Sequence, residues 1–146
     1  PGQVVVSGSA AAVEEASKRA KERGGRAIPL KVSAPFHCSL MQPAADRLAV
    51  DLATIPFKPG AFDVICNVDA APLPEISAIV DRLVRQVTAP VQWTRTLQTL
   101  AERGVDRWVE FGSGTVLSGL AKRTLGTIDV VSVDAPDTLE AALRGP

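Results

Sequence analysis

The feature that most constrains this chain is the alternation of short β-branched runs with segments in which apolar residues recur at helical spacing. Such alternation is typical of α/β folds, in which helices join the strands of a largely parallel sheet. We expect strands at residues 3–7, 27–32, 64–68, 107–111 and 129–133. The sequence therefore predicts the α/β class.

Turn and capping residues divide the rest of the chain into helices. Ser9 is a suitable N-cap for the first helix, and Gly24-Gly25 is a suitable stop. Pro90 fits the first position of a later helix. The strand at 64–68 is apolar at nearly every position, which predicts burial on both faces. Helices are expected at residues 9–23, 40–52, 75–87, 90–103, 116–125 and 136–143.

Composition excludes several classes of function. The 146 residues carry a formal net charge of zero, so no basic field is available for nucleic acid or an anionic membrane. No apolar run reaches the length of a membrane span. Cys38 and Cys66 form no disulfide framework, and with a single histidine the chain offers no recognisable metal site. We expect a protein of the reducing cytoplasm that binds no metal.

His37 is the first candidate for chemistry. It lies in a loop, Ser33-Ala34-Pro35-Phe36-His37-Cys38-Ser39, between a predicted strand and a predicted helix. Catalytic groups favour such loops, and an imidazole can accept and return a proton near neutral pH. A surface or hydrogen-bonding structural role is the alternative.

A nucleophile for this base is harder to find. The G-x-S-x-G turn is absent, and Ser113 has its glycines, Gly112 and Gly114, at the wrong offsets. These glycines favour a structural helix entry over a phosphate site, since the third glycine of the dinucleotide motif is missing. Cys38 is adjacent to His37, and neighbouring side chains usually point in different directions. The basic residues Arg82, Arg85, Lys122 and Arg123 are interpreted as solvated helix faces, with contact to an acidic partner left open.

Four blocks of the sequence resemble one enzyme family, the malonyl-CoA:acyl-carrier-protein transacylases. They are the opening PGQVVVSG, the histidine block SAPFHCSLMQPAA, the pair LVRQ and PVQWT, and the block EFGSGTVLSGL. The blocks follow the family's order and cover nearly the whole chain. The resemblance predicts the C-terminal half of such an enzyme.

The resemblance implies an architecture and a reaction. Residues 1–33 would form the latter part of a ferredoxin-like small subdomain, and residues 34–146 the C-terminal part of an α/β-hydrolase-like acyltransferase subdomain. The family transfers a malonyl group from coenzyme A to the pantetheine thiol of acyl carrier protein through an acyl-serine. No cofactor is implied, because the coenzyme A thioester is the substrate.

The resemblance also implies residue roles. His37 would activate the serine and then the thiol, and the backbone carbonyl of Gln86 would orient the histidine in place of a carboxylate. Phe36 would favour malonyl over α-branched acyl groups by crowding the α-carbon, although simple packing is the alternative. The serine, the carboxylate-binding arginine and the oxyanion-hole glutamine would belong to the missing N-terminal half, so this chain alone is expected to be inactive.

Two other functions remain open at this stage. The chain is alternatively a catalytically inactive fragment that binds acyl carrier protein, or a piece of an acyltransferase domain from a polyketide or fatty-acid synthase. Flanking sequence would distinguish the synthase domain from a stand-alone enzyme.

Overall fold

The computed structural model describes residues 2–144, and these divide into two compact units, 2–92 and 93–144. The domain limits predicted at Pro1 and Pro146 lie outside the described residues. The predicted division at residues 33 and 34 concerns a larger enzyme and stays a prediction. Among residues 2–144, none of the helices combines the length and apolar character of a membrane span.

The first unit is helical, with three α-helices. Helix α1 spans Ala10–Glu22, and Ser9 caps it by accepting a hydrogen bond from the Ala12 N–H, as predicted. A 3₁₀ turn at Ser39–Met41 leads into α2, Gln42–Leu52, and a second one at Ile76–Ala78 leads into α3, Ile79–Thr88. Helices α2 and α3 pack against each other, with Ala45 fully buried.

The second unit contains the parallel sheet that the alternation predicts. Strands β1, Arg107–Phe111, and β2, Asp129–Val133, pair in parallel from Arg107 opposite Asp129 to Phe111 opposite Val133. Helix α5, Val116–Leu125, joins them, and α6, Pro136–Arg144, packs on β2. Helix α4, Trp93–Glu102, packs on α5 and contributes the most deeply buried large side chain, Leu97.

Three of the predicted strands are absent. Residues 3–7 and 27–32 flank α1 without strand pairing, and their apolar side chains are exposed, Val4 by 86% and Ile28 by 63%. The expected buried strand at 64–68 is wrong as well, because the chain reverses there and leaves one bridge, between Ile65 and Pro72. Each of these runs has strand character but no neighbouring strand among the described residues, and a strand requires a hydrogen-bonded neighbour.

The helix expected from Pro90 begins three residues later, at Trp93. Ala89 ends α3 in an extended conformation, which a residue before proline favours. The segment then continues without helical structure to Gln92, whose N–H donates to the Asn67 carbonyl at 2.8 Å. Pro90 therefore terminates one helix rather than starting the next.

Candidate active site

The site is built on the C-terminal end of α3. The last carbonyls of any helix have no donor within the helix. Here Pro90, four residues after Gln86, has no N–H, so the Gln86 carbonyl cannot be bonded by the helical pattern. Because the helix ends at Thr88, the Val87 carbonyl is also left without a helical partner.

His37 bonds both of these carbonyls. Its backbone N–H donates to the Val87 carbonyl at 3.2 Å, and its ring Nδ1 lies 2.9 Å from the Gln86 carbonyl oxygen. A carbonyl oxygen can only accept, so Nδ1 carries the hydrogen in this contact. The Nε2 atom of the neutral ring then has its lone pair free to take a proton.

The backbone at His37 is in an uncommon conformation. Its φ is +62°, in the left-handed region, which costs a residue with a side chain about 1–2 kcal/mol. Two hydrogen bonds hold the loop before and after it: the Phe36 N–H donates to the Ala34 carbonyl at 3.0 Å, and the Cys38 thiol donates to the Pro35 carbonyl at 3.1 Å. Strain of this kind persists where surrounding contacts fix it, and it concentrates at functional sites.

Not all of the candidates named from the sequence belong to this site. Phe36 adjoins His37 and is 48% exposed. Cys38 directs its thiol to the Pro35 carbonyl, which favours a structural role over a nucleophilic one. Arg85 pairs with Asp81 on the same exposed helix face. Lys122 and Arg123 lie exposed in the last turn of α5, where cations complement the helix dipole.

The Gly-Ser-Gly turn of the second unit is closed by a carboxylate that the sequence analysis missed. Glu110, on β1, accepts from the backbone N–H of Leu117 at 3.0 Å and of Ser118 at 2.8 Å, and also from the Ser118 hydroxyl. These bonds lower the pKa of Glu110, chiefly through the Ser118 hydroxyl and N–H. A carboxylate already occupies the place where a phosphate would bind, which favours the structural interpretation of Gly112 and Gly114.

Comparison with curated proteins identifies relatives of this chain. The malonyl CoA-acyl carrier protein transacylase of Salmonella typhimurium is 47% identical over 144 residues, covering 98% of this chain and 47% of the relative. The enzyme of the same name from Bacillus subtilis is 42% identical over 145 residues, covering 99% of this chain and 46% of the relative. The chain is homologous to part of the malonyl CoA-acyl carrier protein transacylases. It spans about half the length of these relatives, and no protein-family profile matches it.

Solved structures agree with this family resemblance. The acyl-carrier-protein S-malonyltransferase of Burkholderia pseudomallei 1710b superimposes with a TM-score of 0.88 at 44% identity, covering 94% of this chain and 45% of that one. A malonyl-transacylase in complex with its type II PKS acyl-carrier protein gives 0.91 at 44% identity, covering 95% and 45%. The resemblance predicted from the four sequence blocks is confirmed.

Proposed function

We propose that this chain supplies the histidine base of a malonyl-CoA:acyl-carrier-protein transacylase. The observation that carries the proposal is the 2.9 Å contact between His37 Nδ1 and the Gln86 carbonyl, which leaves Nε2 available as a base. The names of the relatives supply the substrates, malonyl-CoA and acyl carrier protein. The coenzyme A thioester is the substrate, and no further cofactor takes part.

The proposed reaction has two acyl transfers. His37 Nε2 takes the proton of a serine hydroxyl as the serine oxygen attacks the thioester carbonyl, and the protonated ring then gives that proton to the departing coenzyme A sulfur. In the second half, His37 takes the proton of the pantetheine thiol, and the thiolate attacks the acyl-serine ester. The serine oxygen leaves and recovers the proton from His37.

The serine belongs, in this proposal, to the portion of the enzyme that this chain does not cover. The exposed apolar side chains of residues 3–7 and 27–32 support it, because they would gain a covering surface from such a portion. In the combined enzyme, residues 1–33 would complete a ferredoxin-like subdomain and residues 34–146 a hydrolase-like one. This chain by itself would form no acyl-enzyme, and the enzyme would act in the cytoplasm.

Phe36 is proposed to favour malonyl over α-branched acyl groups. Two observations support this role: Phe36 directly precedes His37 in the loop, and its side chain is 48% exposed. Assays with methylmalonyl-CoA in place of malonyl-CoA, on the parent and on Phe36→Ser, test this role. We expect Phe36→Ser to raise the methylmalonyl-to-malonyl ratio by about tenfold.

Intact-mass spectrometry tests the main proposal. The chain is incubated with malonyl-CoA alone and again with the serine-bearing portion of the enzyme, and both polypeptides are weighed under denaturing conditions. We expect one malonyl group on the serine-bearing polypeptide and none on this chain. A malonyl adduct on this chain alone would overturn the proposal. Cys38 and Ser113 would then be the candidate nucleophiles. Binding of acyl carrier protein without any adduct would support the inactive binding fragment instead.

A further inference from the structure

A loop outside the site contacts α3, the helix whose last carbonyls are bonded to His37. Within residues 64–73, Asp69 Oδ2 lies 2.7 Å from Arg82 Nε, and the Asn67 carbonyl accepts the Gln92 N–H at 2.8 Å. Arg82 lies one helical turn before Gln86, and Gln92 follows the end of α3. The two contacts therefore bracket the carbonyls to which His37 is bonded. We propose that Asp69 and Arg82 are positioning residues for His37, acting through α3; their catalytic meaning rests on the proposed function.

The loop presents Asp69 from a fixed turn. The Cys66 N–H donates to the Ala71 carbonyl at 2.9 Å, and the Ala70 N–H donates back to the Cys66 carbonyl at 2.9 Å. Ala70 is only 4% exposed and has a φ of +55°, in the left-handed region. A residue with a side chain stays in that region only where its surroundings hold it there. The carboxylate of Asp69 is thus a rigid anchor.

Apolar packing between this loop and α3 is incomplete. A cavity of about 130 Å³ separates them and reaches as far as Gln86. Protein interiors otherwise leave few voids larger than a water molecule. The polar contacts near the two ends of α3 therefore help to fix its position against the loop. The cavity is lined chiefly by Val64, Ile65, Cys66, Leu73, Ile79 and Leu83.

The ion pair is suited to this role because both side chains are largely shielded, with 24% of Arg82 and 27% of Asp69 exposed. Asp69 Oδ1 is buried and receives no hydrogen bond from the described residues, so Arg82 is the charge that compensates this carboxylate. Removing Arg82 would leave the shielded Asp69 carboxylate uncompensated. Arg82 also contacts Asp81 at 2.7 Å, but Asp81 lies on α3 itself and cannot fix the helix to the loop. Asp81 is therefore a matched control.

The test measures the ring of His37 directly. His37 is the only histidine in the chain, so histidine labelled with ¹⁵N gives one set of ring signals. Spectra are recorded at about pH 8.5, where an ordinary imidazole is neutral, with the serine-bearing portion present and unlabelled. We compare the parent with Asp69→Asn, Arg82→Gln, Arg82→Lys and Asp81→Asn, and record the thermal unfolding of each.

We expect the Nδ1–H form to predominate in the parent. In Asp69→Asn and Arg82→Gln, its ratio to the Nε2–H form should fall by about tenfold, the ordinary size of coupling through a packed network. Arg82→Lys should recover most of the ratio, and Asp81→Asn should leave it within about twofold. The kcat for malonyl transfer should follow the same order, with the KM for malonyl-CoA unchanged.

Two outcomes would overturn the inference. The first is an unchanged ring tautomer in folded Asp69→Asn. The second is an equal change in Asp81→Asn, which would mean that Arg82 acts only through helix stability. If Arg82→Gln does not fold, Asp69→Asn decides alone. If no variant, including the parent, transfers malonyl groups, then the proposed function fails, while the tautomer comparison still decides whether the brace exists.

Discussion

Two helix ends in this molecule are satisfied in opposite ways. At the C-terminal end of α3, the carbonyls without helical partners accept hydrogen bonds from His37. The second ring nitrogen of His37 takes no part in these bonds. At the N-terminal start of α5, unbonded N–H groups donate to Glu110, whose oxygens are engaged by that helix. Both arrangements follow from the four unpaired groups at every helix end. The difference is that the Glu110 contact is complete in itself, whereas the His37 contact leaves a basic atom free for chemistry.

The largest expected effect is on activity at the α3 end. His37→Gly should lower malonyl transfer by about a thousandfold, because the proton acceptor is lost. Its free energy of unfolding should change by less than about 1 kcal/mol, since relief of the left-handed strain offsets the lost ring hydrogen bond. Transfer rates and denaturant unfolding of the enzyme check both parts. A large loss of stability would mean that the His37 contact at the end of α3 stabilises the fold, as the Glu110 contact at the start of α5 does.

Pro90→Ala tests why the Gln86 carbonyl is available. Alanine restores an N–H at the position from which a continuing helix would bond that carbonyl, so it competes with His37 Nδ1. We expect kcat to fall by about tenfold, while stability stays equal or rises as α3 gains a residue. Pro136→Ala is the matched control, because Pro136 occupies the first turn of α6, where no helical bond is needed. Unchanged activity in Pro90→Ala would show that the proline does not keep the carbonyl open.

Glu110→Gln tests the α5 end and should affect stability rather than chemistry. We expect Tm to fall by about 4 °C near neutral pH, since an amide accepts hydrogen bonds less strongly than a carboxylate. The pKa of Glu110 is lowered in the fold, so its contribution is present above the ordinary glutamate value of about 4.3 and is lost as pH falls below it. The Tm difference between parent and variant should therefore shrink between about pH 5 and pH 3. A difference that does not vary with pH would assign the effect to shape rather than charge.

A strand could be predicted from the sequence where its neighbouring strand is near in the chain. Strands β1 and β2 were predicted with their correct limits, because each finds its neighbour across one helix. The runs at 3–7 and 27–32 have equal strand character, yet no strand lies beside them among residues 2–144. A sequence pattern indicates that a segment tends to form an extended strand, but it does not indicate whether another strand lies beside it.

The candidate site divides in the same way. His37 was predicted as a site residue from its loop, whereas Gln86 was predicted only from the family resemblance, and both roles stay predictions. A local signal for Gln86 did exist, namely the proline four residues later, which frees its carbonyl. Asp69 carries no such signal, because its pairing with Arg82 depends on how the loop at 64–73 folds back. Glu110 had a partial local signal, because it is an acidic residue just before a glycine-rich helix start.

The smallest expected effect concerns how far the Glu110 contact extends. The Ser118 hydroxyl also lies 3.0 Å from the Ser132 hydroxyl on β2, so the carboxylate, α5 and both strands form one network. Ser132→Ala should lower the free energy of unfolding by about 0.5–1 kcal/mol if this link is part of the cap. Ser113→Ala, at an exposed turn position, is the matched control and should change it by less than about 0.5 kcal/mol. In a double-mutant cycle with Glu110→Gln, the two changes should not add, because they share Ser118. Strict additivity would mean that the contact at the start of α5 involves only Glu110 and α5 and does not extend to β2. The two helix ends would then both be local contacts.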